Sequence, residues 1–193
     1  MIPMATQIWE LLAGSIVFAW VLMHVPGAKR YFVWVHLVAL LVIAGTAVMG
    51  WSFGGIWMAT FEPFGTLLPG ICLAASSKRA GLWHYPPISR WEKLFAAALI
   101  VLVLLGTLDL LGVVPYVWFY AGWPPAALAG VLAMWAVWRG QMHVVICVLL
   151  AQTFWLLDIG SSNFFDHVSH VLLVPALVVS GLTFQIWRRR SSD

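Results

Sequence analysis

Charged side chains are scarce in this sequence. Asp, Glu, Lys and Arg make up 9% of the 193 residues, whereas hydrophobic residues make up 63%. Soluble globular chains carry roughly 25% charged residues, and no polar stretch here is long enough to form a domain outside a membrane. The composition therefore predicts an all-α integral membrane protein, in which residues 1–193 form a single transmembrane helical domain with no soluble domain.

Several motifs that carry chemistry elsewhere are missing. The two cysteines, Cys72 and Cys147, stand apart in apolar runs without CxxC or metal-ligand spacing, which favours buried structural roles. There is no Gly-rich phosphate loop and no nucleophile elbow. The last apolar run, 166–187, contains no lysine that could hold a retinal Schiff base. The net charge of +3 is spread over short clusters, so no nucleic-acid partner is predicted.

Long apolar runs, by contrast, fill most of the chain. A helix needs about 20 mostly apolar residues to cross a bilayer. Pro63, Gly65, Pro69 and Gly70 should kink or break the third run. We predict seven transmembrane helices, over residues 6–25, 31–52, 55–77, 94–113, 117–138, 140–158 and 166–187.

The basic residues predict the orientation of these helices. Cytoplasmic loops of membrane proteins carry an excess of Lys and Arg. Seven crossings with the N-terminus outside (periplasmic) and the C-terminus cytoplasmic place every basic side chain on the cytoplasmic side. We therefore expect a protein of the bacterial inner (plasma) membrane, with these cytoplasmic residues: Lys29, Arg30, Lys78, Arg79, Arg90, Lys93, Arg139, Arg188, Arg189 and Arg190.

Small residues recur at four-residue spacing in the fifth run. The pairs are Ala126 with Gly130 and Ala129 with Ala133. Such spacing lets a second helix approach closely within a membrane. Together with the abundant aromatics and the lack of a soluble domain, it favours a membrane subunit of a larger complex, respiratory or otherwise energy-converting. The predicted partners are membrane lipids and other membrane subunits.

Acids and imidazoles concentrate near the outer end of the last run. On one continuous helix, Asp166, His167 and His170 would fall within an arc of about 100°. With Asp158 from the preceding run they could bind a divalent metal, Zn, Fe or Cu. Glu62, in the broken third run, is the candidate catalytic residue that would accept a proton.

Structural roles compete with each of these assignments. Asp166 follows "SSNFF", where an acid caps the start of a helix, and the two histidines could be interfacial residues with satisfied hydrogen bonds. Asp158 could be a water-facing cap at a helix end. The two interpretations stay open at the sequence level.

A second candidate cofactor site lies on the inner side. His36 and His143 fall at similar depth on different predicted helices, which is what a single haem b with two imidazole ligands requires. We rank this haem below the outer metal, since each inner histidine could equally have an interfacial role.

Three functions follow from these features. The first is the membrane subunit with an outer-face carboxylate and histidine site. The second is an intramembrane metal-dependent enzyme, hydrolase-like, acting at the outer face on a lipid-like substrate. The third is a proton- or cation-coupled transporter that uses Glu62 in a broken helix.

Overall fold

The computed structural model of the protein describes residues 3–48, 64–107, 123–160, 164–168, 170 and 172–178. These residues are helical with connecting turns, and no strand occurs among them, which confirms the all-α prediction. A 3-10 turn, Ala28–Tyr31, precedes the second helix, and residues 173–178 form a further helical stretch. The helices are α1 Met4–Leu22, α2 Phe32–Val48, α3 Leu67–Arg79, α4 Arg90–Thr107, α5 Trp123–Trp138, α6 Met142–Leu156 and α7 Phe164–Val168.

Two helical stretches have the length and composition to cross a membrane. They are Met4–Leu22 and Ala28–Thr46, each 19 residues long. Helices α5 and α6 are apolar but span only 16 and 15 residues in the described part of the chain. Helix α4 begins with three charged residues, so its apolar part is shorter than its length. The described helices therefore do not confirm seven spans.

Proline positions explain where the third and last predicted spans depart from continuous helices. Residues 64–66 are not helical, and α3 begins so that Pro69 lies in its first turn, where the missing N–H breaks no helical hydrogen bond. Likewise α7 ends at Val168, His170 is not helical, and Pro175 lies in the first turn of the stretch 173–178. The expected single helix over 166–187 is thus interrupted at His170.

Three helices end in the same backbone motif. Gly81, Gly140 and Asp158 have positive φ values of +77°, +68° and +53° just after α3, α5 and α6. In each case the next amide bonds back across the final turn; in α6 the Ile159 N–H donates to the Phe154 carbonyl oxygen at 2.9 Å. This left-handed ending satisfies carbonyls that a helix otherwise leaves unpaired, and it turns the chain sharply.

The helices pack as two contiguous groups around α3 and α6. Helix α1 packs on α2 and α3, whereas α6 packs on α3, α5 and α7. Helices α3 and α6 approach so closely that a Cβ on Gly70 would overlap the Sγ of Cys147. Small buried side chains such as Ala129 and Ala151 fill the rest of this core, so the backbones lie near one another.

A capping box and an ion pair fix the start of α4. The Ser89 N–H donates to Glu92 Oε2 at 2.7 Å, and the Glu92 N–H donates to Ser89 Oγ at 3.2 Å. Arg139, just after α5, holds the same carboxylate through Nε at 2.7 Å and Nη2 at 3.1 Å. The two-point contact ties the start of α4 to the end of α5.

Candidate functional site

A buried polar cluster joins the first half of α1 to the chain around α7. We call it the Glu10 cluster. Its side chains come from three separate parts of the sequence, and the aromatic members pack beside buried hydroxyl, carboxyl and imidazole groups. Its members are Thr6, Trp9, Glu10, Phe64, Thr66, His167 and His170.

Helix α1 places two polar groups on one buried face. Thr6 and Glu10 are four residues apart and are 1% and 0% exposed. Ala13 and Gly14 continue this face with small residues, so the neighbouring backbone can approach. The Thr6 hydroxyl oxygen accepts the Gly160 N–H at 3.0 Å. The face therefore anchors the loop that follows α6.

Both backbone polar groups of Phe64 bond to α1. The Phe64 N–H donates to Glu10 Oε1 at 2.9 Å, and the Trp9 indole N–H donates to the Phe64 carbonyl oxygen at 2.7 Å. Glu10 Oε2 is buried and has no hydrogen-bond partner among the described residues. Burying a carboxyl oxygen without a hydrogen bond costs more free energy than burying an unpaired neutral polar group. Glu10 Oε2 is therefore the chemically exceptional atom in the cluster.

Thr66 connects α6 and α7 to the start of α3. Its N–H and hydroxyl both donate to the His167 carbonyl oxygen, at 2.8 and 3.1 Å, and the hydroxyl also lies 2.7 Å from the Cys147 carbonyl oxygen. The His167 side chain is 4% exposed, and a Cβ on Gly160 would lie 3.4 Å from its ring. The backbone of Thr66 thus fixes the position of a buried imidazole.

His170 lies beyond α7 and is 2% exposed. Its ring stacks on Phe64 with centroids 5.3 Å apart and planes 21° apart. The Leu172 N–H donates to His170 Nδ1 at 3.2 Å. Because Nδ1 accepts this bond, the proton of the neutral ring lies on Nε2. The segment after α7, rather than the helix itself, presents this imidazole to the cluster.

The structure brings some of the predicted site residues together. His167 and His170 enter one cluster, whereas Asp158 is exposed at the left-handed end of α6, and Asp166 is half-buried in the first turn of α7. Glu62 lies outside the described residues. Within the described ranges, no three His, Cys, Asp or Glu side chains are grouped so that they could hold a metal ion.

Glu10 is the site residue that the sequence interpretation passed over. It is the one charged residue of α1, a mainly apolar helix of 19 residues, and a lone acid in an apolar run is the same signal that indicates Glu62. Its partner could not be read from the sequence, because the bond joins residues 54 positions apart. Applying the rule for intramembrane acids evenly along the chain would have singled it out.

The two inner histidines have different neighbours. His36 Nδ1 lies 2.8 Å from the Phe32 carbonyl oxygen of its own helix, α2. The His143 ring packs against Tyr85 at 4.6 Å and Trp83 at 6.1 Å between centroids. Helix α2 packs on α1, while α6 packs on α3, α5 and α7. The haem b pairing of His36 with His143 stays a prediction.

No protein-family model, curated protein or solved structure matches this chain. The Glu10 cluster must therefore be interpreted from its own chemistry. A buried carboxyl whose second oxygen has no described partner can hold a proton or a cation. His167 and His170 add two buried imidazoles to the same cluster, and an imidazole nitrogen can donate or accept a hydrogen bond.

Proposed function

We propose that this chain is an integral membrane protein of seven spans, with its N-terminus outside, that works as a membrane-embedded subunit of a larger respiratory or other energy-converting assembly. The Glu10 cluster would then lie toward the outer face of the membrane. Carboxyl and imidazole groups that exchange protons suit such an assembly.

Exposed apolar helix faces support the membrane part of the proposal. On α2, Val33, Trp34 and Leu41 are 62%, 67% and 70% exposed. Among the described elements, α2 packs mainly on α1 and on the preceding 3-10 turn. A contiguous apolar surface of this kind is costly in water, and lipid removes the cost.

The small-residue face of α5 carries the subunit part of the proposal. Ala129 is 3% exposed and packs inside the fold. Ala126 is exposed, and a Cβ on Gly130 would meet no described atom within 4 Å. One of the two small pairs is thus used within the chain, while the other is open. In lipid, open small residues allow a second helix to pack closely, which favours a protein partner there.

Purification from native membranes in mild detergent tests this proposal. We expect the chain to elute with partner subunits at a mass well above 21.4 kDa. Leucine at the open face, in Ala126→Leu with Gly130→Leu, should release the partners by blocking close helix approach. Ala127→Leu places a leucine at a neighbouring exposed position and should leave the assembly intact. A monodisperse monomer from native membranes, or an assembly unchanged by the first pair, would refute a partner at this face.

The metal-dependent enzyme is the second candidate. It is favoured by the burial of His167 and His170 in one cluster, since imidazoles are suitable ligands for zinc, iron or copper, and a carboxylate to complete the site would have to come from outside the described residues, as Glu62 could. Elemental analysis of the same purified sample separates it from the first candidate: stoichiometric metal that disappears in His170→Ala would favour the enzyme.

The transporter hypothesis depends on Glu62, which lies outside the described residues.

A further inference from the structure

Basic side chains collect at the opposite end of the bundle from the Glu10 cluster. They surround the loop between α3 and α4 and the start of α6. We call this group the Lys78 cluster, and it consists of Lys78, Tyr85, Arg90, Lys93 and His143.

Lys78 is fixed by the loop that follows it. Its Nζ lies 4.5 Å from the centre of the Tyr85 ring and donates to the Tyr85 carbonyl oxygen at 3.4 Å. The left-handed Gly81 turns the chain back so that Tyr85 can reach Lys78. The Tyr85 ring also contacts the His143 ring, with centroids 4.6 Å apart. Lys78, Tyr85 and His143 therefore form one continuous surface.

Lys93 adds a second ammonium group beside the first. It is half-buried, and burial lowers its pKa, with the positive charge of Lys78 lowering it further. Arg90 is one turn earlier on the same face of α4. Its Nε is buried and has no hydrogen-bond partner among the described residues. Lys78 and Lys93 thus place two ammonium groups together, and the Arg90 guanidinium, which lies 5.3 Å from the centre of the Trp91 ring, is a further cation at the start of α4.

The nearby acid does not neutralise these cations. Glu92 is the only acidic residue between 64 and 107, and Arg139 and Ser89 occupy its carboxylate. Within the described ranges, Lys78, Arg90 and Lys93 form no ion pair. Like charges placed together without a counterion repel one another, so an anion bound among them would relieve that repulsion.

Neutral polar atoms of α3, of α6 and of the residue before α6 are also left unpaired. Ser76 Oγ, Gln141 Oε1 and His143 Nδ1 are buried, and none has a hydrogen-bond partner among the described residues. The Gln141 side chain is held in place by its Nε2, which donates to the Pro86 carbonyl oxygen at 2.6 Å. The Ser76 hydroxyl and the His143 imidazole can donate to the oxygens of an anion, whereas Gln141 Oε1 can only accept a hydrogen bond.

We infer that the Lys78 cluster binds a phosphate-bearing anion, either the headgroup of an anionic phospholipid or a soluble phosphate. Lys78 and Lys93 provide the charge, and Arg90 provides a guanidinium donor. In the proposed orientation this end of the bundle faces the cytoplasmic leaflet of the membrane. That leaflet contains anionic lipids, whose headgroups bind to basic pockets between helices. Binding of the anion does not require a partner subunit, because every member of the Lys78 cluster belongs to this chain.

Binding measurements on the full-length protein test this inference. In nanodiscs or mild detergent, native mass spectrometry and thermal stability would be compared with added phosphatidylglycerol, phosphatidylcholine and inorganic phosphate. We expect phosphatidylglycerol to bind and stabilise the protein more than phosphatidylcholine. Lys78→Gln with Lys93→Gln should weaken this binding at least about tenfold. Lys78→Arg with Lys93→Arg keeps both charges and should restore most of it.

Lys29→Gln with Arg30→Gln is the matched control, because it removes two basic charges from another predicted cytoplasmic turn. It should change binding by less than about twofold. Equal losses of phosphatidylglycerol binding in the two glutamine pairs would mean that general surface charge attracts the lipid, and would overturn the inference. Equal binding of phosphatidylglycerol and phosphatidylcholine, with no effect of inorganic phosphate, would overturn it as well. Stabilisation by inorganic phosphate alone, lost in the Lys78 pair, would support the inference with a soluble ligand. A monomeric protein would still bind the anion, so failure of the subunit proposal is a separate result.

Discussion

Asp158 follows α6 in a left-handed backbone conformation. Its position near the outer acids and histidines made it a candidate metal ligand, and its place at a helix end made it a candidate cap. The backbone at Asp158 has φ +53°, and its side chain is exposed. Glycine occupies the equivalent position after α3 and α5. The structure therefore explains Asp158 as the left-handed residue that ends α6.

Replacing Asp158 with glycine should stabilise the protein. Glycine adopts positive φ without the steric cost of a Cβ, and the expected gain is about 0.5–1 kcal/mol. Thermal unfolding in detergent would show the change as a higher midpoint. Asp158→Ala is the control, since it removes the carboxylate but keeps the Cβ, and it should not stabilise. A midpoint lowered by glycine would mean that the carboxylate itself makes a stabilising contact.

The sequence predicts which single residues belong to a polar site better than it predicts which distant residues contact one another. His167 and His170 were selected from the sequence and are both buried. Their neighbours were not predictable, because the helical arc assumed for them ends at Val168. Glu10 meets Phe64 across 54 residues, a contact that no local pattern specifies.

At the level of elements, the start of α4 depends on one carboxylate. Glu92 closes the capping box with Ser89 and pairs with Arg139 from the end of α5. The hydrogen bond with the Ser89 side chain is the largest cause that holds the Glu92 pKa below its ordinary value of 4.5; burial opposes it, while the Ser89 N–H and then the hydrogen bond and charge of Arg139 add to the lowering. The ionised form is thus the one that stabilises the fold.

Glu92→Gln should therefore destabilise the protein in a pH-dependent way. The lowered pKa means that the stabilisation is complete above pH 4.5 and disappears as the pH falls through the lower folded value. The carboxylate is partly exposed and screened by solvent, so we expect a loss of about 1 kcal/mol near pH 7. Unfolding midpoints of both proteins between pH 3 and pH 8 measure it. A difference that persists unchanged at pH 3 would contradict an electrostatic origin.

The apolar runs predict that helices exist better than they predict where those helices begin and end. The runs near 6–25 and 140–158 correspond to α1 and α6. Of the prolines expected to break the third run, Pro69 lies in the first turn of α3, and Pro63 lies outside the described residues. In the last run, Pro175 has the same effect, but hydrophobicity alone had predicted one continuous helix there. Apolar composition selects helices, whereas proline and left-handed residues decide where they end.

On the scale of the whole molecule, the distribution of charge is the property that the sequence predicts most directly. The basic residues of the described helices lie near helix ends, and the Lys78 cluster is built from four parts of the chain on one side of the predicted membrane. The Glu10 cluster lies at the other end of α3. The count of spans is harder to predict, because it depends on residues 49–63, 108–122 and 179–193, which lie outside the described ranges.

Cysteine labelling tests the orientation directly. Three predicted spans separate residue 84 from residue 157, so the two positions should lie on opposite sides of the membrane. His84 and Leu157 are both exposed, while the native Cys72 and Cys147 are buried and should stay unlabelled. In intact cells or spheroplasts, a membrane-impermeant maleimide should label Leu157→Cys, and it should label His84→Cys only after lysis. Wild-type protein controls for the native thiols.

The labelling pattern also distinguishes a wrong number of crossings from a wrong orientation. If both introduced cysteines react before lysis, an even number of crossings joins them, and the seven-span arrangement is refuted because positive charges would then lie outside. If His84→Cys reacts first and Leu157→Cys only after lysis, the crossings stand but the orientation is inverted. In that case the Lys78 cluster would face the outer leaflet, and its phosphate-bearing ligand would have to come from that side.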